Sequence, residues 1–581
     1  MTEQTNQKYT VITFAPVQKF IEKSRKLRDL YGSSLLLSYL AFALCHTAKI
    51  HNCDVISPAL INVTKGTPNQ IIIKGDFPEE IAKKTFYDHW QTIVNICRQE
   101  IEDKVEFIYT WKSEWNDVGN HVWEFFWTQA TIDDITEDEE TVITHLRRKL
   151  NQIKYSRNWT GINWQGESST LSGSEAIAWH RMGEHKYLPK GNKIKASQTE
   201  QNHQENLDLP SLTLAQQIDE ITKFYEILSK VFSESIIDPD ERLSIAEVIK
   251  RLVTCQDIAK KISKKTKLSF EIPSSFVEIN RHENNLWTGW FQGDGDKIGE
   301  YLQHLRNQAK VTNPTRDINE TEANILKKFS NAMMNWGECD LAQDQCLITT
   351  KNGQNNDIGR IVYAGGDDFF GVLYKPNSED KLTAIKCLEW FYTFPELWQL
   401  HQQNITVSVG WVWTGAQVPQ RDILQHCRET EKLAKDQGRD RLAIRILFNS
   451  GNYLDWYCPW WCLQEILEAY QDREGDTIQS LKIKPKKHKK VPNWTHFYND
   501  VATVENRHGF ANNREVALGL FDIYFPEKAQ LLEDYSWDTS LNNQKKTGIL
   551  GNQPKANPSQ NIKALNQWII NLSKVGFHLF S

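Results

Sequence analysis

The chain is 581 residues long, with 40% hydrophobic and 24% charged residues and a formal net charge of −6. That length exceeds what one ordinary core supports and that composition excludes a disordered chain, so three or four globular units are expected. The negative balance excludes a protein that coats nucleic acid by bulk positive charge and leaves any such contact to local patches or partner subunits.

Met1 to Lys8 is polar and lacks the apolar core of a signal peptide, and the longest apolar run, 35–44, is too short to span a bilayer. A soluble cytoplasmic protein without membrane contact is therefore expected. Among the 10 cysteines the closest pair is Cys458 and Cys462, and no Cys-x-x-Cys occurs. Free thiols are expected, not a zinc ribbon or a thioredoxin-type site.

Alternation over 8–14 predicts a strand, and 17–27 and 30–47 carry helical periodicity. A hairpin over 59–63 and 70–74 and an amphipathic helix over 78–101 follow. Strand, helix, hairpin, helix is the front of a ferredoxin-like or palm-type unit. Its hairpin tip, Gly66 to Asn69, carries no Asp or Glu, so no metal site is expected there. The chain then turns polar over 151–209, with a linker expected over 191–208. It returns to helix over 213–265.

Over 284–450 the pattern predicts strand 286–294, helices 296–309 and 319–336, strands 360–365 and 369–374, helix 380–392, strand 404–412, helix 420–436 and strand 441–448. The tail reads as helical over 456–471, 495–506, 513–521 and 561–572. The basic run Lys482 to Lys490 reads as a solvated loop, with contact to an RNA backbone as the sharper alternative. The expected class is α+β multidomain with two ferredoxin-like palms: a degenerate palm at 1–150, a polar loop and helical middle at 151–283, an acidic palm at 284–450 and a helical C-terminal unit at 451–581.

Two stretches carry the chemistry. In Tyr363-Ala364-Gly365-Gly366-Asp367-Asp368-Phe369-Phe370 an apolar run meets two glycines and two acids and then resumes, which reads as a hairpin with carboxylates at its tip. In Gly293-Asp294-Gly295-Asp296 a strand ends on a third carboxylate. Adjacent carboxylates repel unless a cation lies between them, and hard divalent ions, Mg²⁺ or Mn²⁺, meet that need. The topology sets strand 286–294, ending at Asp294, side by side with strand 360–365, which leads into Asp367; if the two are neighbours in one sheet, Asp294, Asp367 and Asp368 converge as phosphoryl-transfer chemistry on two metal ions requires. Alone, Gly-Gly-Asp-Asp is only a polar turn; the second acidic strand end is what raises it to a candidate site.

With these residues in view, the chain resembles the signature large subunit of type III CRISPR effector complexes, the palm-domain polymerase/cyclase, and most closely its III-B form. The resemblance rests on Gln18-Lys19-Phe20-Ile21 with Ser24 to Ser38, on Glu241-Arg242-Leu243-Ser244, on Lys250-Arg251-Leu252 and on Pro273-Ser274-Ser275. It rests most specifically on the acidic pair of stretches followed by Ser408-Val409-Gly410 and by Ala434-Lys435 with Gly438-Arg439. It implies conversion of ATP into cyclic oligoadenylates when guide RNA and target RNA are bound, with other effector subunits as partners. Asp294, Asp367 and Asp368 would hold two Mg²⁺ or Mn²⁺ ions, with Asp367 and Asp368 catalytic. Lys435 and Arg439 would neutralise phosphate charge, Gly295, Gly365 and Gly366 would admit the nucleotide, and Ser408 would recognise base or ribose. Arg25, Lys26, Ser33 and Ser34 are candidates for an acceptor-nucleotide pocket on the first palm, although helix-surface charge explains them more simply.

Two departures from the family pattern matter. No His-Asp dipeptide occurs, so nuclease activity of the His-Asp type is not expected, and Glu167 to Gly173 holds no cysteine where a zinc cluster would sit, so structural zinc is not expected. Two other readings remain: a scaffold with a dormant palm, and a stand-alone diguanylate cyclase, which leaves the second palm-like unit unexplained.

Overall fold

The computed structural model describes residues 7–60, 63, 66–135, 141–157, 166–183, 212–270, 272, 286–315, 317–344, 347, 358–375, 381–472, 493–510, 513–541 and 544–580. The linker expected over 191–208, Pro273-Ser274-Ser275 and the basic run Lys482 to Lys490 lie outside them.

The first sheet is built from β1 (Tyr9–Ala15), β2 (Asp54–Ser57), β3 (Ile71–Lys74) and β4 (Glu124–Ala130), in the order β2-β3-β1-β4 with every pair antiparallel. Between the first two strands run α1 (Val17–Glu22) and α2 (Leu27–Ile50), and after the third come α3 (Glu79–Lys104) and α4 (Lys112–His121). By length and composition α2 could cross a membrane, yet it is largely buried as the central helix of this sheet's core. After β4, α5 (Val142–Ser156) covers the sheet's other face. The helical middle consists of α6 (Leu214–Phe232), α7 (Ile245–Leu252) and α8 (Gln256–Thr266), whose apolar stripes join the core under α2 and α3.

The second sheet repeats the first. β5 (Thr288–Gly295) leads through α9 (Ile298–Thr312) and α10 (Ile318–Asn335) to the hairpin β6 (Gly359–Ala364) and β7 (Asp368–Leu373). Then α11 (Ala384–Gln399) returns the chain to β8 (Val407–Thr414). Those four strands are ordered β6-β7-β5-β8, matching β2-β3-β1-β4 strand for strand. Beyond β8, α12 (Gln420–Asp436), a parallel β9 (Arg441–Leu447) and an antiparallel β10 (Tyr453–Pro459) extend the sheet to six strands. The remaining helices are α13 (Trp460–Ala469), α14 (Thr495–Asn506), α15 (Arg514–Tyr524), α16 (Ala529–Asp534) and α17 (Pro558–Phe580), with a small hairpin of β11 (Thr539–Leu541) and β12 (Gln544–Lys546). They pack with α11 into one core rich in tryptophan and phenylalanine.

The opposite face of the second sheet meets the first unit. Leu27, Leu30 and Tyr31 of α2 share a core with Trp290, Val362, Val372 and Val412 of the second sheet and with Ile423, Leu424 and Cys427 of α12. The Tyr31 hydroxyl donates to the Ile361 carbonyl at 3.1 Å. Helix α12 also lies flush on β8, because Gly410 presents no side chain where a Cβ would overlap the Glu431 backbone.

Three expected elements are corrected. The second strand of the first hairpin region is Asp54–Ser57, not 59–63; Pro58 has no amide to donate and ends the ladder. The segment 453–459 is strand β10, so the helix expected from 456 starts at Trp460 after Pro459. The neighbour of β5 is β7, the returning arm of the acidic hairpin, and not β6 as the strand order from sequence had it.

Gly410→Ala should lower stability by ~1–3 kcal/mol through overpacking and push α12 away from β8. Thermal unfolding of the variant checks the first effect, and loss of the Lys435 contact described below checks the second.

Candidate nucleotidyl-transfer site

The site forms where β5 ends and β7 begins. Asp294 on β5 is the register partner of both Asp368 on β7 and Ser408 on β8. Across an antiparallel pair, side chains directly opposite lie on one face, so Asp294 and Asp368 are close like charges. Asp367 precedes Asp368 in a tight turn that Gly366 permits by adopting φ +107. The Gly365 amide donates to the Asp368 carbonyl and the Gly295 amide to the Asp367 carbonyl, each at 3.1 Å. The turn is thereby tied to β5, and neither amide is left for a phosphate.

The electrostatics follow from this crowding. Burial, and then the nearby Asp294, push Asp367 up to about 6. Burial with Asp294 and Asp367 raises Asp368 well above the usual carboxylate range. Asp368 is nonetheless reachable by solvent; it lies in a recess ringed by protein, so its direction of shift and its accessibility are compatible.

Lys435 on α12 is the local counter-charge. Its ammonium pairs with Asp294 and, at 2.6 Å, with Glu431 one turn earlier. Burial opposes its charge, but the bonds to those two carboxylates prevail and hold its pKa above the ordinary value. Glu431, only 11% exposed at its side chain, is a fourth acid that the sequence reading missed. Its signal was the i, i+4 spacing to Lys435 on one helix face. Among the described residues no three Asp, Glu, His or Cys side chains already stand as a ready ligand shell, and Lys435 occupies Asp294.

Asp296 plays a different part. It accepts hydrogen bonds from Thr406 (2.8 Å), Ser408 (2.7 Å) and the Asp440 amide (3.0 Å), and Arg439 Nε approaches it at 3.9 Å. Asp440 in turn accepts from Thr547 at 2.9 Å. This knot ties the end of β5 to β8, to the α12–β9 turn and to the C-terminal region. One expectation is corrected here: Ser408 is fully buried with its hydroxyl given to Asp296, so it does not face a base or ribose. Arg439 lies on the Asp296 side of the knot.

Beside Asp368 opens a cavity of about 360 Å³ between the two sheets, lined by Gln18, Ser34, Asn69, Gln292, Tyr363 and Phe370 among others. At its rim Glu22 of α1 pairs with Arg428 of α12. Of the four acceptor-pocket candidates, only Ser34 lines the cavity, with its buried hydroxyl unpartnered. Ser33 donates to the Asp29 carbonyl at 2.7 Å, and Arg25 and Lys26 turn toward Glu241 at 3.8 and 3.7 Å.

Two family models match parts of the chain. The family model for Cas10/Cmr2, second palm domain, matches residues 288–443, and that for CRISPR-associated protein Cmr2, N-terminal, matches residues 9–105. Among solved structures, the apo state of a type III-B Cmr-beta complex aligns at 11% identity and a TM-score of 0.51, over 98% of this chain and 82% of that one. At that identity the likeness is one of fold. A Csm1-Csm4 cassette in complex with cA4 aligns at 12% identity and a TM-score of 0.45, over 98% and 70%. Csm1 of T. onnurineus aligns at 12% and 0.44, over 99% and 70%. Curated protein sequences give no match.

A carboxylate whose folded pKa is raised stabilises the fold while protonated and loses that contribution as pH rises through its folded value. Asp367→Asn should therefore raise the unfolding midpoint of the metal-free chain at pH 8, by an effect of order 1 kcal/mol, and the gain should shrink as pH falls below about 6. Thermal melts of both proteins across pH 5–8 measure it.

Proposed function

We propose, for a chain that belongs to the Cas10/Cmr2 family of type III CRISPR large subunits, that its second palm joins ATP molecules into cyclic oligoadenylates when the assembled complex binds target RNA. The observation that carries this reading is the cross-strand placement of Asp294 against Asp368, with Asp367 beside them and one lysine as local counter-charge. Such a cluster holds more negative charge than Lys435 offsets, which suits divalent cations. Mg²⁺ characteristically takes one or two protein carboxylates and completes its shell with water and substrate phosphates, so a shell left open by the protein alone fits ions that arrive with a triphosphate.

In this reading Asp294, Asp367 and Asp368 hold two Mg²⁺ or Mn²⁺ ions, which would supply charge neutralisation at the triphosphate and acidify the attacking 3′-hydroxyl. The chain's own residues do the rest. Lys435 moves its ammonium from Asp294 to the phosphate oxygens, with Glu431 retaining it meanwhile. The cavity between the palms orients the nucleoside, with the Ser34 hydroxyl and the Gln292 amide as its polar handles. Each turn of the reaction forms a bond from the 3′-oxygen to the α-phosphorus, breaks the α–β phosphoanhydride and releases pyrophosphate. Guide RNA, target RNA and the other effector subunits are the partners this role requires.

Purified complex given ATP, Mn²⁺ or Mg²⁺ and matching target RNA should yield cyclic adenylates, detected by mass spectrometry. Asp367→Ala with Asp368→Ala should reduce the yield at least 10²-fold, and GTP should not substitute for ATP. Normal assembly without detectable ATP binding would mark a scaffold with a dormant palm, and product that survives the double substitution would reject the site.

A further inference from the structure

The helix that walls the cavity is too short to hold its own shape. Helix α1 has six residues, Val17–Glu22, and contributes Val17, Gln18, Ile21 and Glu22 to the lining. A helix of that length is marginal in isolation, and its last carbonyls have no partners within it. Ser24, just past the helix, donates its hydroxyl to the Ile21 carbonyl at 2.5 Å and its amide to the Glu22 carbonyl at 2.8 Å, whereas the donor to the Phe20 and Lys23 carbonyls comes from elsewhere in the chain.

Lys250, on α7 of the helical middle, is fully buried. Its ammonium donates to the Phe20 carbonyl and, at 3.0 Å, to the Lys23 carbonyl, and it lies 4.2 Å from the centre of the Phe20 ring. A cation bonding the terminal carbonyls caps a helix and complements its dipole. The neighbouring Arg251 grips the next corner: its guanidinium donates to Asp29 at 2.7 and 3.2 Å and pairs with Glu241. Asp29 in turn accepts the amides of Arg25 and Lys26 at 2.9 and 2.8 Å. Two adjacent buried cations of α7 therefore hold both sides of the bend between α1 and α2. No residue of α7 lines the cavity.

We infer that Lys250 is a positioning residue for the nucleotide cavity: by capping α1 it fixes the wall on which the nucleotide rests, so that affinity depends on a helix the nucleotide never touches. The inference rests on the reading of that cavity as the nucleotide site. Removing the ammonium while keeping the stem, as in Lys250→Met, leaves two carbonyls without donors and frees the end of α1. The distortion passes to Glu22 and its partner Arg428 across the rim.

The test is hydrogen–deuterium exchange on the full chain, read peptide by peptide. Without nucleotide, Lys250→Met should speed exchange at the α1 amides at least tenfold while those of β5 and β8 stay as in the wild type. Its affinity for a non-hydrolysable ATP analogue with Mg²⁺ should fall about tenfold, and in the assembled complex KM for ATP should rise with kcat largely kept. Unchanged α1 exchange in the folded variant overturns the positioning role. Should the variant not fold, the wild type decides: binding and order are reciprocal, so the analogue should slow exchange in α7 as well as in α1, and protection confined to α1 overturns the inference. A wild type that binds no analogue rejects the cavity as a nucleotide site, an outcome separate from α1 exchange in the variant.

Discussion

Repulsion between carboxylates is the constraint on which the acidic palm of this protein depends. Asp294 and Asp368 face each other across a strand pair, an arrangement that weakens a sheet unless something positive intervenes. The protein supplies one ammonium, from Lys435, and shares it between Asp294 and Glu431. Delivering that ammonium requires α12 to lie flat on β8, which the absence of a side chain at Gly410 permits. It also requires the end of β5 to stay in register. The Asp296 knot supplies that by drawing hydrogen bonds from Thr406, Ser408 and the Asp440 amide onto one buried carboxylate. A buried acid with every partner a donor is stabilising, whereas the crowded carboxylates around Asp294, two residues earlier, are not, and two acids of a single Gly-Asp-Gly-Asp run thus have opposite roles set by their surroundings.

Much of this was legible in the sequence where hydrophobic period and turn chemistry agree. The apolar runs on either side of Gly365 to Asp368 fix a hairpin, and α12 falls at 420–436 as its spacing predicts. The meeting of the three acids was conditional on neighbouring strands, and the pairing that brings Asp368 opposite Asp294 is with the returning arm of the hairpin, which the pattern of residues alone does not reveal. What escaped had a local cause each time. Strand β2 hides behind a proline that favours the wrong side of the turn. Strand β10 is a run of aromatics whose spacing suits a helix as well as a strand. Ser408 was misassigned because its role depends on register, which no single strand reveals: opposite Asp294 it is buried, and the acid within its reach is Asp296. Glu431 carries little in the sequence beyond its spacing to Lys435, and only the packing of α12 on the sheet buries it beside Asp294.

The two sheets share one strand order, and their hairpin tips face each other across the cavity. Tyr363, just before the acidic turn, packs its ring on Gly66 of the first hairpin, and Pro68 lies beside Gly366. At the matching positions of the first sheet the chain reads Phe14-Ala15-Pro16 at the end of β1 and Gly66 to Asn69 at the tip, with no carboxylate. One copy of the architecture therefore keeps the acids and the other supplies a wall.

The division suits the proposed reaction. Joining two nucleotides needs a charged end, where phosphate is exchanged, and a neutral end, where a base and ribose are held in place. Acids and Lys435 crowd the first, while the second is apolar with an unpartnered hydroxyl at Ser34. A wall whose one acid, Glu22, is already paired with Arg428 must gain specificity from shape, and shape in a six-residue helix is only as good as its caps. That places the burden on residues far from the chemistry. It gives a physical reason for the fully buried cations of α7, whose desolvation only a complete set of partners offsets: they hold the shape of a largely apolar surface.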